Sequence, residues 1–84
     1  MLEVRAEVVT VQDSGAGWYK LMITVGSAGN QRTFVQTYAL TQPELHAAEA
    51  MFEDSKTRDY VRELRLFRQD KNGTHELKKY IRKD

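Results

Sequence analysis

The sequence has no cysteine and a single proline among its 84 residues. The absence of cysteine excludes disulfide cross-links, thiolate catalysis and every zinc site that uses sulfur, so packing alone must stabilise the fold. It also fits a reducing compartment, and the charged Glu3, Arg5 and Glu7 interrupt any apolar run that could serve as the core of a signal peptide. We therefore expect a cytoplasmic protein.

Long apolar runs are lacking as well. The longest uncharged stretch, residues 21–31, is too short and too polar to span a bilayer, so no membrane partner is expected. A chain of 84 residues that is 40% hydrophobic and 30% charged is long enough for one small globular domain, and we expect that domain to span residues 1–84.

The net charge of +1 conceals an uneven distribution. Residues 1–55 carry three basic and seven acidic side chains, whereas residues 56–84 carry ten basic and five acidic ones. Such polarity can steer a partner, although the mixed signs of the second segment are more typical of a solvated face.

Three segments in the first half have the pattern or composition of strands: residues 2–11, 18–25 and 31–40, separated by glycine-containing stretches at 13–17 and 26–30. Residues 2–11 alternate apolar and polar side chains with the period of two of a half-buried strand, and the other two segments are rich in aromatic and β-branched residues. Glycine in these stretches supplies the backbone dihedral angles of turns. We therefore predict three strands, of which the second and third form a hairpin.

Two registers are possible for this hairpin. A three-residue loop directs Phe34 and Tyr38 away from the face that holds Leu21, whereas a two-residue loop at Ala28 and Gly29 places them on that face.

A helix begins after Thr41, because a threonine followed three residues later by Glu44 forms a capping box, and Pro43 suits the first turn. The periodicity of the predicted helix ends at residues 54–57. The spacing of three and four places its apolar residues on one face: Leu45, Ala48, Met51 and Phe52.

The last third fits either a hairpin or two helices, and the dipeptide Asn72-Gly73 favours the hairpin. With those two residues at the centre of the turn, one face collects the predicted core residues Leu64, Leu66, Leu77 and Ile81. The predicted fold is therefore a single α+β domain of order βββαββ, a mostly antiparallel sheet with one helix packed on one face.

The opposite face of this hairpin is basic and aromatic, the chemistry that neutralises phosphates and stacks bases. It makes nucleic-acid binding one candidate function, although Glu63 and Glu76 lie on the same face and surface strands often carry lysine as edge protection. The candidate nucleic-acid-binding residues are Arg65, Phe67, Lys78, Tyr80 and Arg82 on this face, together with Lys79, which is predicted opposite Leu66 and flanks the face.

A different surface favours protein binding. A sheet covered by one helix leaves its other face to solvent or to a partner, and aromatic residues and methionine are enriched at interfaces. The candidate protein-binding residues are Trp18, Met22, Phe34 and Tyr38. Our leading prediction is a non-enzymatic binding module that acts on a protein partner, or on a second copy as a homodimer, through the exposed face or an edge of its sheet.

Catalytic chemistry has little support. His46 and Glu49 lie at i and i+3 on the predicted helix, a spacing suited to a metal or an acid–base pair, but exposed polar positions of an amphipathic helix are the simpler interpretation. The glycines match neither a phosphate-binding loop nor a dinucleotide-binding pattern. We predict no catalytic residues, no metal and no cofactor.

The stretches Gly17-Trp-Tyr-Lys-Leu, Arg32-Thr-Phe and Thr41-Gln-Pro-Glu-Leu resemble the three strands and helix of the arm-type DNA-binding domains of tyrosine recombinases, over less than half of the chain. The sheet has only Lys20 and Arg32 as basic residues, and the C-terminal hairpin has no place in that pattern, so no function is transferred. The size and format are also similar to small phage or mobile-element proteins that inhibit a host system. Our prediction of protein binding therefore includes the case in which this protein inhibits its partner.

Overall fold

The computed structural model describes residues 17–27 and 29–83 as one four-stranded sheet with one helix. The predicted strand at residues 2–11 lies outside the described residues. The α+β class, with a helix packed on an antiparallel sheet, is confirmed. In chain order the elements are β1 (Gly17–Ser27), β2 (Asn30–Ala39), α1 (Gln42–Ser55), β3 (Val61–Asp70) and β4 (Gly73–Ile81).

The strands are antiparallel and lie in the order β2-β1-β3-β4. Strands β1 and β3 are central, and both carry apolar residues at alternate positions, which is why they bury one face. Helix α1 packs on that face, which we call the helix-covered face. We call the other side the open face, because no element of the described residues packs on it.

The core lies between the sheet and the helix. Leu21 of β1 pairs directly with Leu66 of β3, and both side chains are fully buried. Full burial of one such side chain contributes about 1.5 to 3 kcal/mol of hydrophobic stabilisation. The buried apolar residues are Tyr19, Leu21, Ala48, Phe52, Val61, Leu64 and Leu66.

Helix α1 begins as predicted. The Thr41 hydroxyl accepts a hydrogen bond from the Glu44 amide at 3.3 Å, and Pro43 lies in the first turn, where its missing N–H costs nothing. Ala48 and Phe52 are buried, but Met51 is exposed, so its predicted place on the buried face was wrong. Adjacent helix positions are separated by about 100°, and only the side that holds Ala48 and Phe52 touches the sheet.

The hairpin of β1 and β2 adopts the two-residue loop, because Ser27 pairs with Asn30. Gly26, next to the loop, has a φ of +119°, and a Cβ at this position would clash with the carbonyl oxygen of Asn30. The register places Phe34 opposite Ile23. Because cross-strand partners share a face, the even-numbered residues of β2 lie on the helix-covered face.

The hairpin of β3 and β4 exists as predicted, but its register was predicted wrongly. The turn centres on Lys71 and Asn72, and Asp70 pairs with Gly73. An Asn-Gly turn of the expected type needs a positive φ at both residues, whereas Asn72 keeps a negative φ. Instead the Asp70 carboxylate accepts a hydrogen bond from the Asn72 amide at 2.8 Å, and Gly73 takes the positive φ of +117°.

The moved turn alone would leave the predicted faces unchanged, because it changes the pairing by two residues. A register irregularity between Leu66 and Phe67 changes the pairing by one residue, so Leu66 pairs with Lys78 and Leu64 with Tyr80, and the predicted faces of β4 are turned over. Leu64 and Leu66 are buried as predicted, but the predicted core positions of Leu77 and Ile81 were wrong, since these residues are 44% and 53% exposed. Tyr80 packs against the core in their place.

Candidate protein-binding surface

The open face carries a group of apolar side chains over which no described helix or strand packs. Met22 of β1 pairs with Val35 of β2, and Lys20 pairs with Phe67 of β3, so these side chains share the face with Trp18. Trp18 is 38% exposed and Val35 is 51% exposed. We call Trp18, Met22, Val35 and Phe67 the open-face cluster.

Phe67 lies between two cations. The Lys20 Nζ is 5.4 Å from the centre of its ring, and the Arg65 guanidinium carbon is 5.2 Å from it. Each such contact contributes about 0.5 to 1 kcal/mol at an exposed site. The two long side chains therefore hold the Phe67 ring in place and surround its apolar surface with charge.

The charge of Arg65 is balanced within the sheet. Its Nε donates a hydrogen bond to Glu76 Oε2 at 2.8 Å, and Glu63 Oε2 is 3.8 Å away. The bond to Glu76 raises the pKa of Arg65 above its ordinary value. Glu63, Arg65 and Glu76 therefore form an ion-paired border beside the open-face cluster.

The four residues predicted to bind a protein do not share one face. Trp18 and Met22 lie on the open face, whereas Phe34 and Tyr38 lie on the helix-covered face because of the two-residue loop. Tyr38 packs against the core, and burial raises the pKa of its hydroxyl, with a smaller contribution from the Glu44 carboxylate. Phe34 is 52% exposed at the edge of the sheet.

The sheet also divides the residues predicted to bind nucleic acid. Arg65, Phe67 and Lys79 lie on the open face, because Arg65 pairs with Lys79. Lys78 and Tyr80 lie on the helix-covered face, opposite Leu66 and Leu64. The predicted continuous basic and aromatic face is therefore not formed, and the change of register in β4 is the reason.

Besides Arg65, two more of the predicted nucleic-acid-binding residues have structural partners. Lys78 Nζ donates a hydrogen bond to Glu53 Oε2 at 2.8 Å, and together with Lys56 it lowers the pKa of Glu53. The Arg82 guanidinium donates to the carbonyl oxygens of Val61, Lys56 and Arg58 at 2.7, 3.1 and 2.6 Å. Arg82 thereby ties β4 to the connection between α1 and β3.

Val35 was in no predicted site, and Phe67 was assigned to the predicted nucleic-acid site. The face of Val35 depends on the loop length at residues 28–29, which the sequence left open, whereas the face of Phe67 follows from its pairing with Lys20. Once Ser27 pairs with Asn30, Val35 falls on the same face as Met22.

His46 is exposed on α1 and Glu49 is half-buried. In the described residues no group of three or more histidine, aspartate or glutamate side chains is arranged to hold a metal ion. Among residues 17–27 and 29–83, no helix is long and apolar enough to cross a membrane. No protein-family model, no curated protein and no solved structure matches this chain.

Proposed function

We propose that this protein is a non-enzymatic binding module that attaches to a protein partner through the open face of its sheet. The observation that carries the proposal is the open-face cluster, a set of large apolar side chains on a face that the helix does not cover. Aromatic residues and methionine are enriched in the buried centres of protein interfaces, and burying this cluster would add stability to a domain with a small core.

The surroundings of the cluster support a protein partner over other ligands. Arg65, Glu63 and Glu76 form an ion-paired border, which matches the polar rim of a protein interface. Among the described residues, helix α1 closes the centre of the helix-covered face, where Phe52 and Leu66 are buried. We also propose that the module acts in the cytoplasm, which the absence of cysteine from the sequence supports.

Affinity capture with matched variants tests this function. The full chain is immobilised and exposed to a lysate of its source organism, beside the variants Met22→Glu and Ala50→Glu. A glutamate at 22 lies directly opposite Arg65, so the sheet tolerates it while the centre of the cluster becomes charged. Ala50 is exposed on α1 and serves as the control.

We expect the wild type and Ala50→Glu to retain the same protein in near-stoichiometric amount, and Met22→Glu to lose it. Thermal melts of all three chains check that they fold equally well. Equal retention by Met22→Glu, or no protein retained above the empty matrix, would contradict the proposed function.

Nucleic-acid binding is the second candidate, and Phe67 between Lys20 and Arg65, with Lys79 on the same face, is the observation that favours it. Fluorescence polarisation with short single-stranded DNA and RNA at ~50 mM salt tests it, since phosphate contacts lose affinity steeply as salt rises. Binding that weakens with salt and is lost in the double variant Arg65→Glu, Lys79→Glu supports this candidate. No binding at ~50 mM salt removes it.

A further inference from the structure

Strand β2 is an edge strand with little protection against pairing. In the described part of the chain its only neighbour in the sheet is β1. Its ten residues, NQRTFVQTYA, include one charge, Arg32, and no proline, and residues 30–37 are all exposed. Proteins usually block a long edge with charges, proline or bulges, because its free backbone groups are a template for another strand.

The other edge of the described sheet is protected in this way. Strand β4 carries Glu76, Lys78 and Lys79, and its pairing with β3 is interrupted between Leu66 and Phe67. Both devices disfavour the addition of a further strand. Of the two edges of the described sheet, the β2 edge is therefore the one that favours pairing with a further strand.

The register identifies which backbone groups of β2 point outward. The Gly26 amide donates to the Tyr60 carbonyl at 2.9 Å, so Gly26 faces the β3 side and its neighbours Val25 and Ser27 face β2. The partners of Val25 and Ser27 are Arg32 and Asn30, which places the even-numbered residues of β2 in hydrogen bonds to β1. The outward N–H and C=O groups therefore belong to Gln31, Thr33, Val35 and Thr37.

We infer that β2 pairs antiparallel with β2 of a second copy of this chain, about a two-fold axis that passes beside Phe34. This register sets Thr33 opposite Val35, and Gln31 opposite Thr37, in each direction. All outward groups of these four residues then find partners, which gives about eight hydrogen bonds between the chains. Shifting the pairing by two residues in one direction leaves some of these outward groups unpaired. A shift in the other direction requires the Ala39 carbonyl oxygen, which already accepts a hydrogen bond from the Thr41 amide at 2.9 Å.

The side chains fit a second copy equally well. Arg32, the single charge of the strand, lies opposite Gln36 of the second copy, so like charges do not meet. Thr33 and Val35 form a β-branched cross-strand pair, which stabilises sheets. Phe34 lies opposite Phe34 of the second copy at a non-hydrogen-bonded pair, where side chains are closest. An unrelated partner would need a matching strand, whereas a second copy brings one by symmetry.

This dimer goes beyond the proposed function, because it uses an edge and leaves the open face free. A two-fold axis perpendicular to the sheet puts both open faces on the same side. The dimer would therefore present two open-face clusters to a partner, on one continuous eight-stranded sheet.

The test uses the fact that the chain has no cysteine. Phe34→Cys places one thiol on the axis, close enough to its copy for a disulfide, which needs Cα atoms about 4.4 to 6.8 Å apart. In the control Thr37→Cys the two thiols lie six residues apart along the paired strands, about 20 Å. Both full-length variants are incubated in a glutathione buffer and run on non-reducing gels.

We expect Phe34→Cys to become mostly cross-linked dimer and Thr37→Cys to stay at least tenfold less cross-linked. Equal cross-linking of the two variants would overturn the proposed register.

Sedimentation separates the dimer itself from its register. We expect the wild type to be a dimer at ~100 µM and Val35→Pro to be a monomer, since proline removes only an outward N–H on an edge strand. A monomeric wild type would overturn the inference. A monomer is the result expected if β2 instead pairs with another segment of its own chain or with a different protein. The sedimentation result does not depend on whether Met22→Glu abolishes capture of a partner, so the dimer and the proposed function can fail separately.

Discussion

The structure separates two leucines that the sequence placed together in the core, and one matched pair of substitutions tests this. Leu66 is fully buried opposite Leu21, whereas Leu77 is 44% exposed on the edge strand β4. We expect Leu66→Ala to destabilise the fold far more than Leu77→Ala, although the chemical change is the same.

The magnitude follows from burial. Replacing a buried leucine by alanine costs about 2 to 5 kcal/mol, which combines the lost transfer free energy with the cavity left behind. For Leu66 we expect about 3 kcal/mol, a large part of the about 4 to 13 kcal/mol that a domain of this length has in total. For Leu77 we expect less than about 1 kcal/mol, because much of the side chain is already in contact with water.

Urea denaturation followed by circular dichroism measures both effects. With a slope of about 1 to 3 kcal/mol per molar urea, the midpoint of Leu66→Ala should fall by about 1 to 3 M, and that of Leu77→Ala should stay near the wild type. Equal losses in the two variants would refute the observed register of β3 and β4 and restore Leu77 to the core.

Three further substitutions test local features of the fold. Thr41→Ala should cost about 1 kcal/mol in urea denaturation because it removes the cap of α1, and Thr41→Ser should restore most of the loss; equal stability of all three chains would contradict the capping role. Gly26→Ala should lower the melting temperature more than Gly29→Ala, because only at Gly26 does the new Cβ meet backbone; the reverse order would contradict the loop geometry. The hydrogen bond from Arg68 is the main reason that the pKa of Asp70 lies below its ordinary value of 3.8. The ionised carboxylate therefore stabilises the fold above pH 3.8, and this stabilisation is lost as the pH falls through the lowered pKa. Asp70→Asn should therefore weaken the loss of stability below about pH 4; an unchanged pH profile of urea midpoints would exclude this carboxylate as a cause.

The elements of the described residues follow from local signals in the sequence. The capping box at Thr41 and the aromatic and β-branched residues of 18–25 and 31–40 are each local to one element, so they predict α1, β1 and β2 to within two residues. The dipeptide Asn72-Gly73 likewise predicts that a hairpin is present.

The faces could not be predicted, because they depend on register. The turn lies one residue earlier than predicted, where the Asp70 carboxylate accepts a hydrogen bond from the Asn72 amide, but this move changes the pairing by two residues and leaves the faces unchanged. The irregularity between Leu66 and Phe67 changes the pairing by one residue, and it exchanges the sides of Lys78 and Lys79 relative to the prediction.

The same limit applied to the candidate binding residues. The small residues of the first hairpin loop permit either loop length, and the choice of two residues put Val35 rather than Phe34 beside Met22. The open-face cluster could therefore be recognised only from the structure, which shows which of these apolar residues lie on the same face.

The measurement that tests the central claim most directly is an NMR titration of the labelled full chain with the protein it retains. We expect the amide signals of Lys20, Met22 and Phe67 to shift, because these residues form the centre of the open face. Signals of the exposed helix residues Ala47 and Ala50 should stay in place. Shifts confined to α1, with the open face unchanged, would contradict the claim that this protein binds its partner through the uncovered side of its sheet.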